Sequence, residues 1–522
     1  MRHLETHLVG RSSLLREGQT CWKCTVAERA TLLIDGEEYY SALRDALLQA
    51  RRQILIAGWD FDTRARLPRD PANQDPDDAS APVELGPLLG YLRARTPELE
   101  IHVLRWDYHW FYGDDREWST RERLEQYGVH FHEHPARLVT GCVHHKVVVI
   151  DDALAFCGGI DLTHKRWDTC AHHPSDARRD HCGEPYKPVH DAQLCVSGPA
   201  AASLGDYVRQ HWPETAKVAA PERVTVGAPI WPSSLHTDFK QIRTGIARTC
   251  PAELEPQSCR EIEAFYLAAI AATKHTLYIE NQYFTSERIA TALAAQFRRV
   301  AKLQGLLVGL DQPETHSEYH TMGYGRARFC HTLAANGVTS RLPLVAAYCA
   351  DGRAINVHSK IATFDDRWLT VGSANLNRRS MGFDLECNLV LEATTREHRE
   401  RIEHLRTRLL AEHLGLEIDQ LAPTLRAHGI ARLPDVVGQS RRLVRVDPQQ
   451  SEPNLGPILA PVFDREQNWP TMTLPKFKLA RLQSALLIAG ALTAAAFTSR
   501  VVADDLPSLS SLQRLVSQLL GG

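Results

Sequence analysis

Two histidine–lysine pairs stand in segments that otherwise read as buried β-strands. His144 and Lys146 begin the run "VHHKVVVI", and His358 and Lys360 begin the run "VHSKIATF". Burying an unpaired charge is costly, so this much titratable chemistry in a core strand indicates a function. Because side chains alternate between the two faces of a strand, each histidine is expected to point the same way as its lysine.

The two pairs belong to an internal repeat. A shift of 214 residues aligns "VHHKVVVIDDALAFCGGIDL" with "VHSKIATFDDRWLTVGSANL" without a gap. Each copy has the pattern H-x-K-x-x-x-x-D, followed at the same distance by G-[GS]-x-[DN]. Beyond the lysines, the aligned pairs include Asp151 with Asp365, Gly159 with Ser373, and Asp161 with Asn375. One such match is weak, whereas two predict a site that both halves of the chain build together.

Strand geometry separates the acidic residues of the motif from its histidines. Asp151 lies seven residues after His144, an odd offset, so the Asp-Asp pairs are predicted to close their strands in turns. Asp151 and Asp365, although part of the catalytic motif, are therefore expected to support the structure without touching substrate. In G-[GS]-x-[DN], the small residues would let backbone approach an anion, and Asp161 or Asn375 could hydrogen-bond it or its neighbours.

Two histidines and two lysines suit substitution at a phosphodiester. A neutral histidine attacks phosphorus and forms a phosphohistidine, which divides one difficult reaction into two steps. The second histidine, protonated, gives its proton to the leaving alkoxide and then takes one from the incoming water or alcohol. Lys146 and Lys360 neutralise the non-bridging oxygens as charge builds in the transition state. No divalent cation is needed, so we expect neither a metal nor a cofactor.

The duplicated motif resembles that of the phospholipase D superfamily, and the resemblance covers roughly residues 30–415. "LIDGEEYYSALRDALLQARRQILIAGWDFD" and "LYIENQYFTS" are similar to segments that open the two halves of the family's fold. "GGIDLTHKRWD" and "PVHDAQLCVSGPAA" are similar to the first half of its phosphatidylcholine-cleaving members, and "GSANLNRRSMGFDLECNLVLE" to the end of its second motif.

The resemblance implies a role for each site residue. His144 would be the nucleophile and His358 the general acid, then base. Lys146, Lys360 and Asn375 would hold the phosphate, with Asp161 as the weaker counterpart of Asn375. Asp191 would be the acidic residue behind His144, and Glu386 the one behind His358.

The resemblance also implies an α/β fold of two similar sandwich halves, packed face to face around a pseudo-two-fold axis that carries the site. Apolar runs such as "QILIAGW" and "KVVVI" alternate with helical stretches, which agrees with this class. We predict a first half over residues 1–215 and a second half over residues 216–425. Residues 426–522 would form a tail with a Pro-rich linker and an apolar helix.

The function implied is that of a phospholipase D-like phosphodiesterase or transphosphatidylase acting on glycerophospholipids, with water or an alcohol as acceptor. A cardiolipin synthase-type phosphatidyltransferase is the alternative, and a nuclease is less favoured. The net charge of −3 lacks the basic footprint of a nucleic-acid binder. A catalytically inactive scaffold is disfavoured because both histidine–lysine pairs are complete. No obligate protein partner is indicated.

The tail contains the apolar segment Leu482–Ser499, whose 18 residues could almost cross a bilayer. It could equally lie on a membrane surface or pack as a soluble helix. The N-terminus has no apolar stretch of signal-peptide length, so we expect a cytoplasmic protein that associates with membranes through this tail. The stretch "CWKC" has redox or zinc spacing, but no second Cys pair or strand–helix context accompanies it, so we expect neither role there. The His- and Cys-rich stretch Thr169–His190 fits no standard zinc finger, and we interpret it as a loop near the mouth of the site.

Overall fold

Apolar strand segments and amphipathic helices follow one another along the chain, as the alternating pattern predicts. The computed structural model describes residues 13–67, 81–107, 119–135, 141–213, 219–225, 230–251, 258–313, 315, 318–435, 441–447, 457, 460 and 464. The strands of the first half are β1 (Lys23–Ile34), β2 (Gln53–Gly58), β3 (Glu100–Asp107), β4 (His130–Pro135), β5 (Val147–Ile150), β6 (Leu154–Gly158), β7 (Asp180–His181), β8 (Glu184–Pro185), β9 (Val189–His190) and β10 (Ala192–Ser197). Those that follow are β11 (Phe239–Cys250), β12 (Cys259–Arg260), β13 (Thr276–Asn281), β14 (Gln304–Gly309), β15 (Leu344–Cys349), β16 (Asn356–Val357), β17 (Lys360–Phe364), β18 (Trp368–Gly372), β19 (Glu386–Glu392) and β20 (Arg441–Arg445). The α-helices are α1 (Asp35–Leu48), α2 (Leu85–Arg95), α3 (Thr120–Gln126), α4 (Pro199–Gln210), α5 (Glu261–Ala272), α6 (Glu287–Arg299), α7 (Tyr324–Ala335), α8 (Arg378–Gly382), α9 (Arg396–Leu414) and α10 (Ile418–His428).

The strand order repeats on both sides of the centre of one large sheet. From the middle outward, the first half runs β1-β10-β6-β5-β2-β3-β4 and the second runs β11-β19-β18-β17-β13-β14-β15. This confirms the predicted α/β fold of two similar halves. The halves are also joined edge to edge, because β1 and β11 pair antiparallel with Ala30 opposite Phe239, while β6 and β10 pack against β18 and β19 across the junction. Each edge strand thereby satisfies the backbone groups that the other half would leave unpaired.

Helices cover both faces of this sheet, so its central strands are buried on both sides. α1 and α2 pack on the first half through a cluster that includes Tyr39 and Leu88, and α5 and α6 pack on the second half through Phe265 and Leu293. α4 and α9 belong to a core cluster that spans both halves. Every residue of β5, β6 and β19 is buried, which explains their continuous apolar runs.

The Asp-Asp pairs end β5 and β17 in turns, as predicted. Asp151 and Asp365 have φ of 52° and 51°, a left-handed conformation that Asp tolerates better than most residues. Each carboxylate accepts hydrogen bonds from three consecutive backbone N–H groups. The donors are Arg51, Arg52 and Gln53 for Asp151, and Lys274, His275 and Thr276 for Asp365. These carboxylates therefore hold the neighbouring strand, as their expected structural role requires.

The chain beyond residue 425 contributes to the same body. β20 pairs antiparallel with β15, and the Asp464 carboxylate accepts a hydrogen bond from the backbone N–H of Arg378 at 2.9 Å. The prediction of a separate tail from residue 426 is wrong for these residues, whereas the boundary near residue 215 stays a prediction. The segment Leu482–Ser499 lies outside the described residues. Among the helices that the structure does describe, none is long and apolar enough to span a membrane.

Candidate active site

The two motif histidines are brought to the junction of the halves by short parallel pairings that cross from one half to the other. Val143 bridges Leu385, and β16 pairs with β9. As a result, the backbone N–H of His144 donates to the carbonyl of Leu385 at 2.8 Å, and that of His358 donates to the carbonyl of His190 at 2.7 Å. Each motif therefore begins beside a strand of the opposite half.

Each histidine contacts the acidic residue of the opposite copy. His144 Nδ1 lies 3.1 Å from both carboxylate oxygens of Glu386, and His358 Nδ1 lies 2.6 Å from Asp191 Oδ2. The prediction that Asp191 stands behind His144 and Glu386 behind His358 is therefore wrong. Asp191 and Glu386 directly follow the residues that pair across the junction, so their side chains meet the histidine on the far side.

The small residues that follow β6 and β18 hold these carboxylates from within their own half. Ser373 Oγ donates to Glu386 Oε2 at 2.5 Å. Gly159 lies so close to Asp191 that an added Cβ would stand 2.1 Å from Asp191 Oδ1. We expected these small residues to admit a substrate anion. The anion beside Gly159 is instead the carboxylate of Asp191, which only glycine leaves room for.

Lys146 is held by two partners at the start of β5. Its Nζ lies 3.0 Å from Asp161 Oδ2 and donates to the backbone carbonyl of His144 at 2.8 Å. Asp161 Oδ1 in turn accepts the backbone N–H of Trp59 at 3.0 Å. Asp161 is thus anchored as the counter-ion of Lys146. This differs from the expected role of a phosphate ligand, which its negative charge beside a phosphate would oppose.

Lys360 occupies the equivalent place in the second half and likewise donates to the backbone carbonyl of its motif histidine, His358, but its other partners differ. Its Nζ donates to Gln282 Oε1 at 3.2 Å and lies 3.2 Å from His358 Nδ1. At the position equivalent to Asp161, the neutral Asn375 has a buried side-chain oxygen that makes no hydrogen bond within the described structure. The Asn375 side chain therefore keeps polar capacity for a bound group, whereas Asp161 has already used its own.

The two histidine–carboxylate pairs are not electrostatically equivalent. Burial, and next the charge of Lys360, lower the pKa of His358 well below its ordinary value. Burial raises the pKa of Asp191, and Lys360 only partly offsets this. Burial acts the same way on Glu386, but the charge of His144 and its hydrogen bonds outweigh it and hold the pKa of Glu386 below its ordinary value. Without a bound anion, His358 therefore favours its neutral form.

The basic groups of the site are arranged so that a bound anion would stabilise their charged forms. Burial lowers the pKa of Lys360 to about 7, against the attraction of Asp191. The charge of Arg166 also acts on His358, Asp191 and Lys360. A negative group bound among Lys146, Lys360 and Arg166 would stabilise their charged forms, so the site is suited to a phosphate.

Sequence reasoning assigned no role to Arg166 or Gln282, although both stand in segments that carry the family resemblance. The internal repeat does not identify Arg166, because the shift of 214 residues aligns it with Ser380, which is not basic. Only its position in the sequence could have indicated a role for Arg166: it lies five residues after Asp161, directly after the first motif.

Comparisons with known proteins find relatives among phospholipases D and cardiolipin synthases. A family model described as "Cardiolipin synthase, PLD-like domain" matches residues 266–407. "Phospholipase D1" of Schizosaccharomyces pombe is 26% identical over 382 residues, which cover 53% of this chain and 28% of that protein. "Cardiolipin synthase B" of Salmonella typhi is 27% identical over 257 residues, which cover 48% of this chain and 52% of that protein. This chain therefore matches only part of the length of these curated relatives.

One solved structure resembles most of the chain. The phosphatidylserine synthase of Haemophilus influenzae superposes with a TM-score of 0.53 at 14% identity. The match covers 79% of this chain and 95% of that chain. At such low identity the likeness concerns the fold alone, and it supports the arrangement of two halves described above.

Proposed function

Because this chain belongs to the phospholipase D superfamily, we propose that it cleaves the distal phosphodiester of a glycerophospholipid, or transfers the phosphatidyl group to an alcohol. One observation carries the proposal. Two histidines, each 2.6–3.1 Å from a buried carboxylate, stand with two lysines at the junction of the halves. Such a set supplies a nucleophile, an acid and the positive charge that phosphoryl transfer requires.

In the proposed mechanism each histidine reacts through Nε2, because Nδ1 is held by a carboxylate that orients the ring and stabilises its charged form. A neutral imidazole attacks phosphorus and forms a P–N bond, while the other imidazole, protonated, gives its proton to the departing alkoxide. The second imidazole then removes a proton from water or an alcohol. That oxygen attacks phosphorus, the P–N bond breaks, and both histidines return to their starting states.

The remaining site residues bind the phosphate or orient the residues that bind it. Lys146, Lys360 and Asn375 would contact the non-bridging oxygens of the phosphate, and Arg166 adds a further positive charge. Asp161 orients Lys146 through its 3.0 Å ion pair. No divalent cation is needed for any step, because protein cations meet the charge of the phosphate.

The order of attack has two candidates. The family resemblance assigns attack to His144 and proton transfer to His358. The lowered pKa of His358 favours the reverse order, because the attacking imidazole must be neutral. Trapping the covalent intermediate with an alkaline denaturing quench and mapping the phosphorylated peptide would decide between them.

A second candidate function concerns the acceptor. The matched family model and the Salmonella relative both carry the name cardiolipin synthase. In that case the acceptor would be the hydroxyl group of a second lipid in place of water or a small alcohol. A nuclease is less favoured, since the net charge of −3 lacks a basic footprint.

The decisive experiment incubates the purified full chain with mixed phospholipid vesicles, with and without a primary alcohol, and identifies the lipid products. Phosphatidic acid alone would indicate hydrolysis, phosphatidyl alcohol would indicate transfer, and a product with two phosphatidyl groups would indicate the lipid acceptor. His144→Ala and His358→Ala are the negative controls. Absence of all three products, with a folded protein, would refute the proposal.

We further propose a cytoplasmic enzyme that meets the membrane through Leu482–Ser499. Lys476, Lys478 and Arg481 precede this segment, and positive charge tends to stay on the cytoplasmic side. Truncation after Pro470 should leave cleavage of a short-chain soluble phospholipid nearly intact and lower the rate on vesicles. Equal vesicle rates and equal fractionation of both forms would contradict an anchor.

A further inference from the structure

A second group of titratable side chains lies directly behind the His358–Asp191 pair, and the proposed mechanism does not use it. It contains Asp35 at the start of α1, His172 in the loop after β6, His190 at the end of β9, and Glu412 near the end of α9. All four residues are buried. Buried titratable side chains are normally paired by hydrogen bonds, so any unpaired atom among these four residues indicates a missing partner.

One polar atom on each of the four residues has no hydrogen-bond partner in the part of the chain that the structure describes. These atoms are Asp35 Oδ2, His172 Nε2, His190 Nδ1 and Glu412 Oε2. They nevertheless lie close together: His172 Nε2 is 3.4 Å from Asp35 Oδ2, and His190 Nδ1 is 3.5 Å from Glu412 Oε2. Ligand atoms of all four residues lie within 4.8 Å of one another. The other carboxylate oxygens are closer still: His172 Nε2 lies 2.9 Å from Glu412 Oε1, and His190 Nδ1 lies 3.1 Å from Asp35 Oδ1. All these atoms thus converge on one shared space.

The two separations of 3.4 and 3.5 Å match those between ligand atoms of a tetrahedral metal site. Zinc bound to nitrogen or oxygen at about 2.0–2.1 Å would hold its ligand atoms about 3.4 Å apart. Imidazole ligands favour zinc or another transition metal over Ca²⁺ and Mg²⁺, which prefer oxygen ligands alone.

The opposite nitrogen of each imidazole is held by a carboxylate. His172 Nδ1 lies 2.9 Å from Asp168 Oδ2, and His190 Nε2 lies 2.8 Å from Glu280 Oε2. Metal-bound histidines characteristically donate their second N–H in this way, which fixes the tautomer and leaves the other nitrogen free to ligate.

The charges of the cluster are compatible with a bound cation. The carboxylates of Asp35, Asp168, Glu280 and Glu412 meet two arginines in it: Arg179, 2.9 Å from Asp168, and Arg441, which pairs with Glu412. Two further positive charges would balance them. A divalent ion supplies both, and so would two imidazolium rings, whose nitrogens lie near carboxylates: His172 Nε2 is 2.9 Å from Glu412 Oε1, and His190 Nδ1 is 3.1 Å from Asp35 Oδ1. Neither nitrogen makes a hydrogen bond among the described residues in spite of these short distances, which favours the ion.

Two other groups of possible ligands are weaker candidates. His190, Glu280 and His413 are already joined by hydrogen bonds of 2.8 and 3.2 Å. In the group formed by Asp62, His164 and His181, the Asp62 carboxylate is already engaged by the guanidinium of Arg64.

We propose that Asp35, His172, His190 and Glu412 bind one divalent transition-metal ion, and that this ion is zinc. The site would tie the first half, which contributes three ligands, to Glu412 of the second half. It would also fix Asp191, which follows His190 and donates its backbone N–H to Asp35 Oδ1 at 3.1 Å. A cleft of about 500 Å³, lined in part by Cys170, Glu412 and Arg441, provides an entry path.

The test measures metal content and needs no activity. The full chain, purified without a metal-affinity tag and without chelators, should contain about one zinc ion per molecule by mass spectrometry. His172→Gln and Glu412→Gln should each lower the affinity for zinc by at least about tenfold, the loss that mutation of even an outer-shell partner causes, and should lower the metal content with it. His398→Gln is the matched control, because His398 is buried on the same helix as Glu412 but lies outside the cluster; it should keep its zinc.

A second measurement guards against variants that fail to fold. The wild-type chain, stripped under native conditions, is titrated with Co²⁺ and then with Zn²⁺. A visible spectrum of tetrahedral Co²⁺ that zinc abolishes, with a rise in melting temperature, supports the site. Wild-type protein that holds no transition metal and shows no spectrum would overturn the proposal, as would folded His172→Gln and Glu412→Gln variants that keep the wild-type content. Because no lipid is involved, either result is independent of the proposed phosphodiesterase activity.

Discussion

The crossed pairing of histidines and carboxylates can be tested by replacing Glu386 with glutamine. Glu386→Gln preserves side-chain size but removes the charge that lies 3.1 Å from His144 Nδ1. A hydrogen bond to a charged group contributes about 1.5–3 kcal/mol. At 1.36 kcal/mol for each factor of ten, kcat/KM should fall roughly 10- to 160-fold. Asp191→Asn should cause a loss of similar size through His358.

The assay compares two substrates that differ only in the leaving group: phosphatidylcholine, and the same lipid with p-nitrophenol in place of choline. A good leaving group needs little protonation, so a variant damaged in the general acid recovers on it by about 10²-fold or more. A variant damaged in the nucleophile stays impaired. Crossed pairing predicts that Asp191→Asn behaves like His358→Ala, and Glu386→Gln like His144→Ala, whichever histidine attacks first.

The opposite grouping would refute the crossed pairing. If Asp191→Asn followed the pattern of His144→Ala, each carboxylate would serve the histidine of its own half. Glu392→Gln is the matched control, because Glu392 is buried at the far end of β19 and contacts Trp368 and not a motif histidine. Its kcat/KM should stay close to that of the wild type on both substrates.

Four further outcomes are expected. His144→Ala and His358→Ala should each remove nearly all turnover and the double variant little more, because residues that act as a unit are non-additive; independent losses that multiply would contradict a shared site. As the pH rises through about 7, Lys360 should lose its charge and kcat/KM should fall, whereas Lys360→Arg, always charged, should flatten that fall; an unchanged pH profile would contradict this. Asp365→Asn should lower the free energy of unfolding, measured in urea, by about 1.5–3 kcal/mol, because the Asp365 carboxylate accepts hydrogen bonds from backbone N–H groups. It should preserve kcat, because the role of this carboxylate is structural. A brief exposure to EDTA that leaves bound metal unchanged should not slow cleavage of a soluble phosphodiester; a loss that Mg²⁺ or Ca²⁺ restores would contradict the mechanism.

Much of the site follows from local spacing. The repeat identifies the histidines and lysines, and the alternation of side chains along a strand places His144 with Lys146 and His358 with Lys360. The turns at Asp151 and the equivalent Asp365 follow from the same reasoning. These features depend on residues a few positions apart, and short-range geometry is nearly the same wherever a strand lies in a fold.

The contacts between segments that are distant in the sequence depended on the tertiary structure. Asp191 and Glu386 were recognised as the acidic partners, but the pairings of β9 with β16 and of Val143 with Leu385 decide which histidine each one serves. The pairing of β1 with β11, which joins the halves edge to edge, likewise depends on tertiary structure. Local sequence patterns do not distinguish this partner from the other strands of the chain.

The proposed metal site shows the same limit. Its histidines, His172 and His190, lie in a stretch that fits no zinc finger. The other ligands, Asp35 and Glu412, stand more than 100 residues away on either side. Ligand spacing can be read from a sequence only where the ligands share a short segment. Here the packing of α1 and α9 around β9 brings them together, and only the folded chain shows it.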